Sequence, residues 1–259
     1  MAYLFKDTDL AARRLHVLAE VFGPASRAFL GDVALDKRPA LALDLGCGPG
    51  YTTRLVSEVT DSELTFGIDA SEHFVALAMA ENASEHVSFA RHDLTRIPFP
   101  TGAGDLVFCR MLLTHLQDPL AAVELWGTQV QPRGLLLLDE VEWIRTDQPL
   151  FQTYLGIVAA MLSQQANQLY IGPVLDQFQP RGNLRLRLSR VYQLPVSTRM
   201  AATMFSLNIP SWKQQPFIQA TYPLEMIARL EQDLHELAEH ATGADEITWG
   251  MRQIAYQRV

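Results

Sequence analysis

Cysteine is nearly absent from this sequence: 259 residues carry only Cys47 and Cys109. Two cysteines give no disulfide framework, so the chain must fold on its apolar core. No stretch approaches the roughly 18 uninterrupted apolar residues of a membrane span. The opening MAYLFKDTDLAARR also lacks an apolar run of signal-peptide length. A cytoplasmic protein without membrane attachment is expected. Positive charge is short as well, with 21 Lys and Arg against 29 Asp and Glu for a formal charge of −8. Gripping a phosphate backbone demands a basic surface, so no nucleic-acid partner is expected. The seven histidines form neither H-E-x-x-H nor a Cys/His cluster, and no metal site is expected.

What the chain does have is 48% hydrophobic residues, enough for one sizeable domain with an added cap. Its most telling stretch is Leu41 to Gly50, LALDLGCGPG, an apolar run that stops at an acid and three closely spaced glycines. The pattern predicts a strand entering a tight turn that opens a helix, where backbone can approach a polar ligand. Gly46, Gly48 and Gly50 spell G-x-G-x-G; the dinucleotide fingerprint G-x-G-x-x-G wants a glycine where Tyr51 stands. No Gly-Lys-Ser/Thr follows, which excludes a P-loop. Glu63 to Ile68 reads as a second strand ending in Asp69, and Val87 to Arg91 as a third preceding Asp93. Between them Ser71 to Asn82 has helical periodicity, with Phe74, Leu77 and Ala78 on one face. A carboxylate ending the second parallel strand can accept hydrogen bonds from both hydroxyls of a ribose. One after the third can accept from an adenine amino group while Leu94 covers the ring. Each acid also has a plainer use, Asp69 as a cap before Ser71 and Asp93 in an Asx turn before Thr95.

In their order, DLGCGPG, GIDAS, HDLTRIPFP, GAGDLVFCRMLLTHLQDP and RGLLLLDEVEW resemble the motifs of the class I S-adenosylmethionine-dependent methyltransferases, over roughly residues 40 to 145. The resemblance implies an α/β, three-layer Rossmann-like sandwich. Its seven-stranded, mostly parallel sheet would have the order 3-2-1-4-5-7-6, with strand 7 antiparallel. It also implies S-adenosyl-L-methionine as cofactor. The turn residues Gly46, Cys47, Gly48 and Gly50 would meet its carboxylate end, since orphan amides and the helix dipole favour an anion. Asp44 would order that turn, Asp69 and Ala70 would hold ribose, and Asp93 and Leu94 adenine. Backbone at Cys109 and Arg110 would meet the methionine portion. Relatives acting on small molecules open with an aromatic and an Arg-Leu pair, here Tyr3 and Arg14-Leu15. Tyr3 would close over the cofactor and Arg14 would reach its carboxylate. Both cysteines then serve as small packing residues rather than thiol catalysts.

Two regions outside this core should decide the acceptor. Leu10, Leu15, Leu18 and Val21 predict a helix over Asp9 to Phe22, stopped by Gly23-Pro24 and followed by a second helix around Ala25 to Ala34. Residues 1–36 are expected to form a helical lid that excludes water. Residues 37–259 are expected to form the methyltransferase core, with 195–242 a helical excursion between strands 6 and 7. Its Met200, Met204, Phe205, Trp212, Phe217, Tyr222 and Met226 suit either plain core or an apolar pocket. Arg181, Arg185, Arg187 and Arg190 alternate with Leu184, Leu186 and Leu188, the pattern of a half-exposed strand whose arginines face solvent.

A sulfonium is already an activated donor, so methyl transfer asks chiefly for in-line alignment and exclusion of water. A phenol or alcohol acceptor needs a base, an amine must arrive neutral, and a carboxylate needs neither. His115 after strand 4 and Glu140 at the end of strand 5 are the candidate bases, at the carboxyl edge where ligands bind in this topology. The expected function is methyl transfer to an oxygen or nitrogen of a small organic molecule, by a monomer or homodimer. The alternatives are a noncatalytic adenosyl-binding or scaffold protein and an NAD-dependent oxidoreductase.

Overall fold

The structure, a computed structural model, describes residues 9–33, 37–241 and 247–259. Its strands are β1 (Leu41–Leu45), β2 (Leu64–Asp69), β3 (Val87–Arg91), β4 (Gly104–Arg110), β5 (Val130–Thr146), β6 (Leu184–Val196) and β7 (Ile247–Arg258). The helices are α1 (Asp9–Asp32), α2 (Tyr51–Thr60), α3 (Glu72–Asn82), α4 (Pro119–Gly127), α5 (Pro149–Gln164), α6 (Gly172–Gln177), α7 (Thr198–Trp212), α8 (Pro216–Thr221) and α9 (Leu224–His240). The sheet order is β3-β2-β1-β4-β5-β7-β6. Strands β1 to β5 pair in parallel, and β7 lies antiparallel between β5 and β6. This is the order and strand polarity that the resemblance implied.

Short apolar strands flanked by helices must bury both faces, and these do. On one face Leu43, Leu45, Val107, Leu136 and Leu138 pack with Trp126 of α4. On the other Ala42, Leu106, Phe108, Leu135 and Leu137 pack with Phe29 of α1 and Val56 of α2. Helix starts follow local capping chemistry: Ser71 Oγ accepts from Phe74 N at 3.1 Å, and Asp118 Oδ1 from Ala121 N at 2.9 Å ahead of Pro119. Because β6 runs parallel to β5, it delivers the chain to the same carboxyl edge, where α7 and α9 form a cap with α5. Tyr154 stacks on Phe205 with centroids 4.0 Å apart, and Trp212 is fully buried. Met204 belongs to this cap core, with Met200, Phe217 and Tyr222 packed against it, while Met226 is exposed. Apart from Met226, these side chains act as plain core. Among the described residues, no helix is long and apolar enough to cross a membrane, and no group of His, Cys, Asp or Glu is arranged to hold a metal ion.

Two local expectations are corrected. Gly23-Pro24 does not end α1, which continues to Asp32 with Pro24 inside it. Proline removes one helical hydrogen bond, but tertiary contacts outweigh that loss. Phe22, Ala25, Phe29 and Leu30 are buried, Ser26 Oγ donates to Asp139 Oδ2 at 2.8 Å, and Gln253 Nε2 donates to the Ala25 carbonyl at 3.2 Å. The arginine run also departs from simple alternation. A register shift against β7 between Leu186 and Leu188 inverts the side-chain parity of β6. Leu184 joins the α4 face, Leu186 is 57% exposed, and Leu188 packs on the α1 face. Arg185 and Arg187 face solvent as expected, but Arg190 turns inward to Asp32 at 2.7 Å and Gln253 at 2.9 Å.

Candidate active site

The glycine turn leaves β1 with Gly46 N donating to the Ile68 carbonyl at 2.8 Å. Gly46, Gly48 and Gly50 have φ of 73°, 52° and 90°, a region that side chains other than glycine's strain to enter. Two of them also lack room. A Cβ on Gly46 would lie 2.9 Å from Leu112 Cδ2, and one on Gly50 would lie 2.7 Å from the Phe89 ring. Gly50→Val should therefore destabilise the fold by about 2–4 kcal/mol through combined strain and overpacking, measurable by urea denaturation. Beneath the turn, Asp44 is buried and accepts from Thr53 Oγ1 at 2.7 Å, which ties β1 to α2. Burial pushes its carboxyl up to about 7, against the opposing effects of the Thr53 hydroxyl and the Arg110 charge.

Asp69 ends β2 beside this turn. Its Oδ2 accepts from Gly48 N at 2.9 Å and its Oδ1 from Ser71 N at 2.8 Å, and the carboxylate stays half-buried. One carboxylate thus joins the glycine turn to the start of α3. Ala70 next to it is exposed, its carbonyl accepting from Arg91 Nε at 3.3 Å. Asp93 is exposed, and its Oδ1 accepts from Thr95 N at 3.0 Å and Thr95 Oγ1 at 2.7 Å. Those bonds hold its carboxyl below the usual range. Leu94 is buried, its carbonyl fixed by Trp126 Nε1 at 2.9 Å. Cys47 and Cys109 are free, buried thiols whose pKa is pushed up by burial, so both stay protonated.

At the end of β4, Arg110 turns toward α1 and α2, donating to Ser26 Oγ at 3.2 Å and Thr52 Oγ1 at 2.9 Å. The following turn holds Met111 at φ 51° and leads into a 3-10 turn over Leu113–His115. His115 is half-buried. Desolvation and the charge of Arg14 lower its pKa to about 3, which keeps the imidazole neutral. Arg14 itself is buried on the inner side of α1, one residue before Leu15, whose side chain lies against Gly48. Glu140 is buried, and its Oε1 accepts from both Leu112 N and Leu113 N at 2.9 Å. Burial raises its pKa to about 8 despite those two amides. Tyr3 lies outside the described residues.

The structure thus brings the glycine turn, Asp69, Arg14, His115 and the β4 end together at one edge of the sheet, with Asp93 and Leu94 flanking it. The sequence reading missed Leu112, which abuts Gly46, and a polar rung on the α1 face. In that rung Arg110, Asp139, Gln253 and Arg190 stand in cross-strand register over β4, β5, β7 and β6. The only sequence signal for the rung was Asp139, the first acid in the pair Asp139-Glu140, whose side chains point to opposite faces of β5.

These groups fit an adenosyl amino acid. Asp69 sets a half-buried carboxylate beside the turn, Asp93 has an exposed carboxylate for an amine, and the left-handed turn lets backbone come close. Residues 43–138, from β1 to the middle of β5, match the family model of a methyltransferase domain. The chain is 38% identical over 87 residues to ajmaline N-methyltransferase of Rauvolfia serpentina, covering 32% of this chain and 30% of that one. It is 33% identical over 91 residues to malonyl-[acyl-carrier protein] O-methyltransferase of Legionella pneumophila, covering 33% of this chain and 30% of the other. The matched stretches span less than half the length of these curated relatives. A solved structure of a methyltransferase from Bacillus halodurans superposes with a TM-score of 0.58 at 15% identity, covering 90% of this chain and 98% of that one, a likeness of fold. Residues 43–138 are thus a methyltransferase domain by the matched family model, set on a sheet of the order β3-β2-β1-β4-β5-β7-β6.

Proposed function

We propose that this chain binds S-adenosylmethionine between the glycine turn, Asp69, Asp93 and the β4 end, and transfers its methyl group in line to an oxygen or nitrogen of a small organic acceptor. The observation that carries this reading is Asp69, whose carboxylate joins the Gly48 amide to the start of α3 at the carboxyl edge of the sheet. When bound, the sulfonium supplies an activated methyl group. The chain's own residues then bind and orient. Asp69 accepts from the ribose hydroxyls and Asp93 from the adenine amine, Leu94 covers the ring, and Arg14 counters the carboxylate. The α1 helix and the α5–α7–α9 cap keep water from the carboxyl edge.

His115 stays the candidate for contact with the acceptor in this reading, while Glu140 is buried beneath the turn after β4. An imidazole with a pKa of about 3 is a weak base, so His115 orients an acceptor lone pair more readily than it removes a phenol or alcohol proton. The named relatives include both an N- and an O-methyltransferase, in keeping with an acceptor of either kind. Residues 1–36 as a lid, residues 37–259 as the core and residues 195–242 as the excursion that shapes the acceptor site belong to the same proposal.

Isothermal titration tests it. S-adenosylhomocysteine should bind the wild-type chain, and Asp69→Ala should weaken binding by about tenfold or more, the loss of a charge-assisted hydrogen-bond pair. No heat with either S-adenosylmethionine or S-adenosylhomocysteine would sink the reading. A rise in melting temperature with a nicotinamide dinucleotide instead would favour the oxidoreductase alternative.

A further inference from the structure

We propose that Glu140 is a positioning residue that holds the turn after β4 through its carboxyl oxygen, rather than a base that removes a proton from the acceptor. Oε1 receives three donors: Leu112 N and Leu113 N at 2.9 Å each, and Cys109 Sγ at 3.9 Å. Those two amides open the 3-10 turn over Leu113–His115 and have no partner within that turn, the usual state of a helical N-terminus. A group that is 1% exposed and already engaged by two amides on one oxygen is poorly placed to receive a further proton from an acceptor.

The turn it holds is strained and shapes the site. Met111 N continues the sheet ladder to the Asp139 carbonyl at 3.1 Å, yet Met111 itself adopts φ 51°, a conformation that persists only when its surroundings fix it. One residue later the Leu112 side chain lies against Gly46 so closely that a Cβ there would stand 2.9 Å away. At the far end His115 N bonds back to the Leu112 carbonyl at 2.8 Å. Glu140 therefore sets three things with one atom: the strained Met111, the Leu112 wall opposite the glycine turn, and the placement of His115. Either protonation state can do this, since a protonated carboxyl still offers a carbonyl oxygen to both amides.

An oxygen acceptor and a base make opposite demands on the glutamine variant. E140Q keeps a carbonyl oxygen of the same reach but cannot take a proton; E140A removes the oxygen altogether. Amide hydrogen exchange on the full chain without cofactor should show faster exchange of Leu112 and Leu113 in E140A, by about tenfold or more, and near wild-type protection in E140Q. Titration should show E140A weakening S-adenosylmethionine and S-adenosylhomocysteine equally, by about tenfold, with E140Q restoring both to within about threefold.

The proposal is overturned if E140A leaves the two amides protected, or if E140Q loses as much as E140A. It is also overturned if E140Q weakens S-adenosylmethionine alone, which would mark a charge acting on the sulfonium. Should E140A fail to fold, the isosteric E140Q still decides through the same exchange and titration measurements. The link to ligand affinity rests on the methyltransferase reading, whereas the exchange measurement does not. If the wild type binds neither ligand that reading fails, and the amide result still stands or falls by itself.

Discussion

Arg252→Ala should lower the melting temperature by about 10 °C, the result of stranding a buried carboxylate at a cost of about 3–5 kcal/mol. Arg252 on β7 donates from Nε to Glu142 Oε2 at 2.9 Å and from Nη2 to Glu142 Oε1 at 2.7 Å. Its Nη1 reaches Asp176 Oδ1 at 2.8 Å and Ser189 Oγ at 3.0 Å. The side chains of the pair are only 10% and 13% exposed, so solvent does little to replace the lost partner. This cluster fastens α6 to three strands at once. The double variant Arg252→Met with Glu142→Leu should recover most of the loss, because replacing both ions by apolar groups removes the desolvation penalty together with the attraction. Calorimetry on the two variants checks it. A double variant no more stable than the single one would show that the packing around α6, rather than charge, sets the cost.

Stability should fall as pH rises from about 6.5 to 8. Glu140 has a folded pKa of about 8 against an ordinary 4.5, and Asp44 about 7 against 3.8, both raised by burial. Between the ordinary and the raised values the folded state holds a proton that the unfolded chain has released. Their stabilisation is complete below the ordinary pKa and is lost as pH climbs through the raised one, at up to about 1.4 kcal/mol per pH unit for each group. His115 works the other way. Its pKa falls from 6.5 to about 3, so its contribution is present above 6.5 and is lost on acidification below it. The opposing slopes partly cancel on the acid side and leave the decline clearest above 6.5. Urea midpoints measured across pH 5 to 9 should show it, and E140Q should flatten the part nearest pH 8. A midpoint that rises steadily from pH 6.5 to 8 would contradict the burial of both acids.

Much of the cofactor half was legible because its signals are local. Each of β1 to β3 is a short, largely apolar run with an acid within two residues of its end, and Ser71 and Asp118 cap their helices by bonds spanning three residues. What escaped was set by distant partners. Gly23-Pro24 is a sound stop signal by itself, but Ser26 finds Asp139 113 residues away and Ala25 finds Gln253 228 residues away, and those bonds carry the helix past the proline. Arg190 lies two residues after Leu188 and so shares its side, and the bulge in β6 that turns this side toward α1 depends on the pairing with β7. Of the adjacent acids Asp139 and Glu140, the sequence named the second for chemistry. The strand phase sends the first to α1 and the second to the amides after β4, a choice no run of apolar neighbours reveals.

The rung of Arg110, Asp139, Gln253 and Arg190 also imposes an order on synthesis. Helix α1 cannot satisfy Ser26 until β5 exists, nor the Ala25 carbonyl until β7 arrives. Strand β7 must also enter between two strands that precede it, so until then β5 and β6 each lack a neighbour and leave backbone donors open. A nascent chain stalled before Ile247 thus carries an unsheltered gap in its sheet and an undocked amphipathic helix, a state prone to association with its own copies. The bonds that fix α1 in the finished molecule make its docking wait for β7.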